Sequence, residues 1–261
     1  MFTQDASIAV VGGRCDSGGP KRSMLSRALA ILCVFGPADA TLTLTELSQR
    51  AGLSKPTAHR LVAELVQWGL LERSGRDLRL GARCSVLGSR VVRHRVLRDA
   101  AVPLLVRTSG LTGGSAHLFI REGRGVVQLD RFGEQSAGDA VPGEERSRER
   151  IAAHAAMSAV SAFDHPARTA GVTAQLDAER IRRIRTIRSL GYAAVEHGQE
   201  PGRVLAVACP VLIPGAGAVA ALAVAGTAPG CEVGRVAPVL LASAGSLGRS
   251  LSETTDLEWA S

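Results

Sequence analysis

Residues 43–80 read TLTELSQRAGLSKPTAHRLVAELVQWGLLERSGRDLRL, from Thr43 to Leu80. Thr43 and Glu46 make a T-x-x-E capping box, the pattern that opens a helix by satisfying its first free backbone N–H groups. Leu44, Leu47 and Ala51 then fall on one helical face, and Gly52 supplies a tight turn. Ser54 stands where a cap for a second helix belongs, with Pro56 in the first turn, where a missing N–H is tolerated. Ala58, Leu61, Val62 and Leu65 recur at i, i+3, i+4 and i+7 and mark its buried face. Gly69 is a natural stop. Leu70–Glu72 and Leu78–Leu80 read as short strands around Ser74-Gly75-Arg76-Asp77. Two short amphipathic helices, a glycine turn and a small basic hairpin spell a winged helix-turn-helix, a shape that sets a helix into the DNA major groove.

Upstream, Ser23 caps a first helix on which Leu25, Ala28, Leu29 and Leu32 fall at helical spacing, and Gly36-Pro37 ends it. Residues 1–21 are expected to be a disordered extension or an overlong start, which gives a winged domain over residues 22–81. Downstream, residues 82–107 lack a strong breaker until Pro103. Val86, Val91, Val92, Val96 and Leu97 alternate with arginines there, as in a long linker helix with an apolar stripe suited to a dimer interface.

Residues 108–252 change character. Ser115–Ile120 and Val126–Asp130 flank Glu122-Gly123-Arg124-Gly125 as a hairpin. Ala137–Arg150 reads as a charged loop and Ile151–Phe163 as an alanine-rich helix. Asp177 is placed to cap a helix running to Leu190, with Ile181, Ile184 and Ile187 inward and Gly191 as its end. Leu205–Ile213 and Val219–Val224 read as buried strands around Pro214-Gly215. A last helix carries Leu240, Ala244, Leu247 and Leu251 on one face, before a tail over residues 253–261. The fold class is therefore α+β, with a largely antiparallel C-terminal sheet.

Charge is divided unevenly. Residues 1–98 carry 15 Lys/Arg against 7 Asp/Glu, whereas residues 99–261 carry 16 against 17. The basic excess lies in the part that holds the helix-turn-helix, where a phosphate backbone is the natural partner. Lys21 and Lys55 are the sole lysines, so an arginine in this chain carries less information than usual. Cys15, Cys33, Cys84, Cys209 and Cys231 show no metal-ligand spacing. Cys33 and Cys209 sit in apolar runs as small core residues, and a reducing cytoplasm is the simplest compartment. Ser7–Gly13 is too short for a membrane span and lacks the basic lead-in of a signal peptide, and its glycines complete no phosphate loop.

Thr43, Ser54, Lys55, Thr57, His59 and Arg60 are the candidate DNA contacts of the helices. Hydroxyls and Lys55 suit phosphates, and Arg60 can pair with guanine in bidentate fashion. Arg73, Arg76 and Arg79 on the wing suit the adjoining backbone or minor groove.

Several stretches resemble the IclR (isocitrate lyase regulator) family. Ser23-Met24-Leu25-Ser26-Arg27-Ala28-Leu29-Ala30-Ile31-Leu32 is similar to its first helix, and Gly52-Leu53-Ser54-Lys55-Pro56-Thr57-Ala58-His59-Arg60-Leu61 to its recognition-helix signature. Thr112-Gly113-Gly114-Ser115-Ala116-His117-Leu118 resembles the opening of its effector domain. Gly191-Tyr192-Ala193, Glu200-Pro201-Gly202 and Val219–Gly226 resemble its closing segments. The resemblance implies a bacterial transcriptional regulator whose winged domain binds double-stranded operator DNA as a homodimer or dimer of dimers. It also implies a GAF-like C-terminal domain that binds a small organic acid, with RNA polymerase as a further candidate partner and no membrane or cofactor. Ile151–Ser158 departs from the family's Leu-His-Ala-Thr-Ala-like turn: His154 is displaced and Met157-Ser158 replaces a Gly-Lys pair.

Ser115, His117, His154, Ser158 and Cys209 are the candidate effector contacts, since hydroxyl and imidazole donors suit a carboxylate. Two other readings stand beside this one: a repressor that needs no ligand, and an enzyme fused to a DNA-binding domain. Against the enzyme, the chain has no GxSxG, HExxH or phosphate-loop motif.

Overall fold

In the computed structural model of the chain, residues 23–36, 39–123, 125–133, 144–164, 178–198, 202–227 and 231–253 are described. The expected extension over residues 1–21, the Asp177 cap and nearly all of the tail lie outside them. The chain divides into two units, Met1–Val92 and Arg93–Ser261.

The first unit follows from local signals. Helix α1 (Met24–Cys33) is capped by Ser23, whose Oγ accepts from the Ser26 N–H at 3.1 Å. Its core residues are Ala30 and Ile31, with Ala28 and Leu32 half-buried. Leu25 and Leu29, expected on the same stripe, are 68% and 46% exposed, because the helix meets α2 and α3 along its Ile31 side. Helix α2 (Leu44–Ala51) carries the expected box. Thr43 Oγ1 accepts from the Glu46 N–H, and Glu46 Oε2 accepts from the Thr43 N–H at 2.8 Å. Gly52 closes the helix at φ 65°, a conformation that favours glycine. Helix α3 (Lys55–Gln67) buries Ala58, Leu61, Val62 and Leu65. Strands β1 (Leu71–Ser74) and β2 (Asp77–Leu80) pair antiparallel, and Leu42 bridges to Leu78 beside them. Ile31, Leu42, Leu47, Leu61, Val62, Leu65, Leu71 and Leu78 share one core. Burying each such side chain contributes about 1.5–3 kcal/mol, which a small domain needs from nearly every one of them.

The expected linker helix over residues 82–107 is two helices. Helix α4 (Ala82–Ser89) ends where the N–H groups of Arg90 and Val91 donate to the carbonyls of Leu87 and Gly88, a tight turn that breaks the α-helical ladder. Helix α5 (Val92–Thr112) then runs through Pro103 and past the expected end.

The second unit is a three-layer sandwich. Strands β3 (Ser115–Glu122), β4 (Gly125–Phe132), β5 (Ala193–His197), β6 (Val204–Ile213) and β7 (Gly217–Thr227) form one antiparallel sheet, ordered β4-β3-β7-β6-β5. Residue parity assigns its two faces. Ala116, Leu118 and Ile120 of β3, Val207, Cys209 and Val211 of β6, and Leu222 and Val224 of β7 pack on Leu97, Ala101 and Leu105 of α5. The same face meets Val236, Leu240, Ala244, Leu247 and Leu251 of the last helix, α8 (Val233–Ser252). Helix α6 (Glu144–Ala162) covers the opposite face, which presents Ser115, His117, Phe119, Ala206, Ala208, Ala221, Ala223 and Ala225. Helix α7 (Ala178–Leu190) lies against α6.

Two expectations are corrected here. The charged stretch expected to loop as far as Arg150 is already helical from Glu144. On α7 only Ile187 is buried while Ile181 is exposed, because this helix touches the domain at its C-terminal end.

Candidate nucleic-acid interface and effector site

Four buried residues of α3 face the core of the first unit, which leaves the opposite face for a partner. Ser54, Lys55, His59 and Arg60 are exposed there and Thr57 is half-buried. They occupy the first two turns, the part of a recognition helix that reaches base edges. Ser54 holds the N-cap position without capping; its hydroxyl meets that of Thr57 at 2.9 Å. Arg60 Nη2 lies 3.5 Å from the Met24 sulfur, a weak contact that leaves its guanidinium available. Thr43 is exposed, but its hydroxyl both accepts from the Glu46 N–H and donates to Glu46 Oε2 at 2.8 Å. That hydroxyl holds the helix start, and a phosphate would have to displace it.

The wing arginines are not equivalent. Register places Arg79 directly opposite Glu72, and its Nε and Nη2 donate to Glu72 Oε2 at 3.1 and 2.9 Å. Glu72 Oε1 accepts from the Ala82 N–H at 3.0 Å, so one carboxylate joins the wing to the start of α4. That backbone bond, then Arg79, holds the Glu72 carboxyl below its ordinary range. Arg79 therefore positions the wing, while Arg73 and Arg76 project from it exposed. Sequence reading missed Glu72, although the cross-strand Glu/Arg pair is legible once the hairpin register is set.

In the second unit the candidates separate into three places. His117 is fully buried. Its Nδ1 lies 2.9 Å from Gln128 Oε1 and its Nε2 lies 2.9 Å from Ser115 Oγ. Burial pushes its pKa down to about 4, with Gln128 opposing and Arg131 adding to the shift. A neutral imidazole has one N–H, which donates from Nδ1 to Gln128 and leaves Nε2 as acceptor for the Ser115 hydroxyl. Ser115 Oγ also lies 3.1 Å from the Ala225 carbonyl, so one proton serves two acceptors. The Ser115–His117–Gln128 chain has the outline of a nucleophile, base and orienting group. It lacks the accessibility and basicity that such a group needs near neutral pH.

His154 and Ser158 lie at i and i+4 of α6, on the half-buried face away from the sheet-facing alanines Ala152, Ala155, Ala156 and Ala159. Burial, then Arg183 of α7, lowers the pKa of His154. Cys209 lies across the sheet from His117, in the core against α5 and α8, with burial raising its thiol to about 12. Cys209 is thus a core residue and not a neighbour of the other candidates. Parity along β6 decides this, and the sequence does not say which helix covers which face.

The residues gathered around His117 are ones the sequence did not single out. Arg131 pairs with His117 in the β3–β4 register, so it projects on the same side. A bulge opposite Leu118 and Phe119 re-aims Gln128. Glu149 of α6 lies 3.5 Å from Arg131 Nη1. A separate pair, Arg121 with the carboxylate of Asp164 just past the other end of α6, stands farther along the sheet. A charged residue in phase with an alanine stripe, as Glu149 is with Ala152 and Ala156, is the signal that could have found this cluster.

Comparison with known proteins bears on both units. The IclR helix-turn-helix domain model matches residues 24–75. The chain is 33% identical over 110 residues to the HTH-type transcriptional regulator XynR of Escherichia coli K12, covering 41% of this chain and 44% of that protein. It is 35% identical over 121 residues to BhcR of Paracoccus denitrificans, another HTH-type transcriptional regulator, covering 46% and 42%. The chain thus spans less than half the length of these curated relatives. Among solved structures, one from Silicibacter sp. TM1040, described as an IclR transcriptional regulator, matches at a TM-score of 0.61 and 25% identity, over 88% of this chain and 96% of that one. An IclR homolog from Microbacterium hydrocarbonoxydans, solved with 4-hydroxybenzoate, matches at 0.63 and 24% identity over 87% and 100%, a likeness of fold.

Proposed function

Because the chain belongs to the IclR family of helix-turn-helix transcriptional regulators, we propose that it binds double-stranded operator DNA as a homodimer or dimer of dimers and releases or grips it in response to a small organic acid. The observation that carries the first part is the arrangement of α3: its apolar face is buried in the core of the first unit, and Ser54, Lys55, His59 and Arg60 stand exposed on its first two turns. Lys55, Arg73 and Arg76 supply the phosphate contacts that set the register, and Arg60 reads a base. The second unit supplies the control. A ligand can act only through its different affinity for two arrangements of the winged domains, so its site belongs in the domain that does not touch DNA. The setting for such a protein is the cytoplasm, with RNA polymerase as its further partner. Among the described residues no helix is long and apolar enough to cross a membrane.

The experiment is fluorescence anisotropy with labelled DNA from the chain's own upstream region, comparing the parent with Arg60→Ala. The variant should bind about 1–3 kcal/mol more weakly to the specific site and nearly unchanged to unrelated DNA. Equal specific binding by the two proteins would remove α3 as the reading helix. A repressor that needs no ligand is the second reading, favoured by one observation: the cations Arg121 and Arg131 on the α6 side of the sheet already face carboxylates of the chain itself.

A further inference from the structure

Helix α3 turns one line of side chains away from the core of its unit. Its buried residues Ala58, Leu61, Val62 and Leu65 define one face. Directly opposite, Pro56, Arg60, Ala63 and Gln67 recur at i, i+4, i+7 and i+11, and all four are exposed. His59 and Glu64, exposed as well, flank this line on either side. The line alternates in chemistry. Arg60 offers a fork of donors and Gln67 a donor and an acceptor, whereas Pro56 and Ala63 offer only C–H surface. Thr57 also carries a methyl group, but it is half-buried off the line, and its hydroxyl meets that of Ser54 at 2.9 Å.

Ala63 stands one turn beyond Arg60, about 4.5 Å along the helix axis, a step close to the roughly 3.4 Å between successive base pairs. A helical Cβ leans toward the N-terminus, so the Ala63 methyl tilts back toward Arg60 and the turns that enter the groove. The major groove presents one apolar group at its base edges, the C5-methyl of thymine. A long side chain at position 63 would hold the helix off the bases that Arg60 must reach, and a polar one would demand a hydrogen-bond partner. A bare methyl group does neither.

We propose that Ala63 is a specificity-determining residue, whose methyl group packs on the C5-methyl of a thymine in a base pair neighbouring the guanine that Arg60 reads. The proposal rests on α3 as the reading helix and adds the chemical class of site it selects. Each half-site joins a guanine to a thymine one or two base pairs away. The thymine is read through its methyl group, so uracil, which keeps every hydrogen-bonding group of thymine and lacks only that methyl, is a worse partner.

The test uses the full-length chain and a pool of double-stranded DNA with a randomised central segment. The duplexes that the parent prefers are recovered and their affinities measured by fluorescence anisotropy. The parent should enrich a guanine that Arg60→Ala no longer requires, with a thymine one or two base pairs away. Replacing that thymine by uracil should weaken binding by the parent about fourfold, the ratio that one buried methyl group corresponds to. Ala63→Gly removes the protein's methyl and should bind the thymine and uracil duplexes equally. Ala63→Ser, which puts a hydroxyl on that carbon, should discriminate less than the parent; it serves alone if Ala63→Gly does not fold. Equal affinity of the parent for the two duplexes, no thymine near the Arg60-dependent guanine, or parent-like discrimination in the Ala63 variants would overturn the proposal. A parent that enriches no sequence at all would overturn the operator reading and the proposal with it, whereas enrichment without the thymine overturns the proposal alone.

Discussion

His117 has no exposed surface, and both ring nitrogens lie 2.9 Å from partners that suit a neutral ring. The unfolded chain protonates this side chain near the ordinary 6.5, and the folded chain only at about 4. Between those values the unfolded state binds more protons, so stability falls as pH drops through that window and is fully present above it. Urea unfolding at about pH 7 and about pH 5 should show His117→Asn losing less stability than the parent between the two, by a few kcal/mol at most. Equal losses would mean that the imidazole is not held neutral. On the wing, Arg76→Ala should weaken DNA binding and reduce its salt dependence by about one phosphate contact. Arg79→Ala should leave the salt slope nearly unchanged and act through wing geometry, since Glu72 already holds its guanidinium. Equal slopes for the two variants would return Arg79 to the DNA contacts.

The elements differ in how far each could be read from the chain. Helices α2 and α3 were legible with their boundaries because their signals are local: the Thr43–Glu46 box, Gly52 in the left-handed region and the Ala58–Leu61–Val62–Leu65 stripe. Replacing Thr43 with alanine should cost about 1 kcal/mol of the first unit's stability in chemical denaturation, and no change would contradict the cap. The break at Arg90 and Val91 was passed over, although Gly88 and Ser89, both weaker helix formers than alanine, stand directly before it and the Gly88 carbonyl accepts from Val91 in the turn. The face assignment of Cys209 and the pairing of Arg131 with Glu149 were not legible. Both depend on which helix covers which side of the sheet, a fact of tertiary packing that strand periodicity leaves open. The same packing makes α8 sensitive at one point. A Cβ at Gly248 would stand 2.5 Å from the Leu212 carbonyl oxygen. Gly248→Ala should therefore destabilise the second unit by about 1–3 kcal/mol in thermal unfolding, and a neutral effect would show that α8 can shift on β6.

At the scale of the whole molecule, charge and chemistry are divided between the two units. Residues 1–92 carry 12 Lys/Arg against 7 Asp/Glu, and residues 93–261 carry 19 against 17, so most of the basic excess lies in the first unit. The described part of the first unit exposes cations on α3 and on the wing. The second holds two ion pairs largely shielded from water, Arg121–Asp164 and Arg131–Glu149, beside exposed pairs such as Arg183–Glu179 and Arg203–Glu196. That division suits a protein in which one part meets a polyanion and the other meets a small ligand. It places the electrostatic free energy of DNA binding in the first unit, where released counterions make it depend on salt. The most direct test is a titration of the purified chain against DNA from its own upstream region, with unrelated DNA as control, at about 50 mM and about 200 mM salt. The account predicts tight, sequence-selective binding that weakens by about a thousandfold or more between the two salts. Binding that is equally weak on both DNAs and indifferent to salt would contradict it.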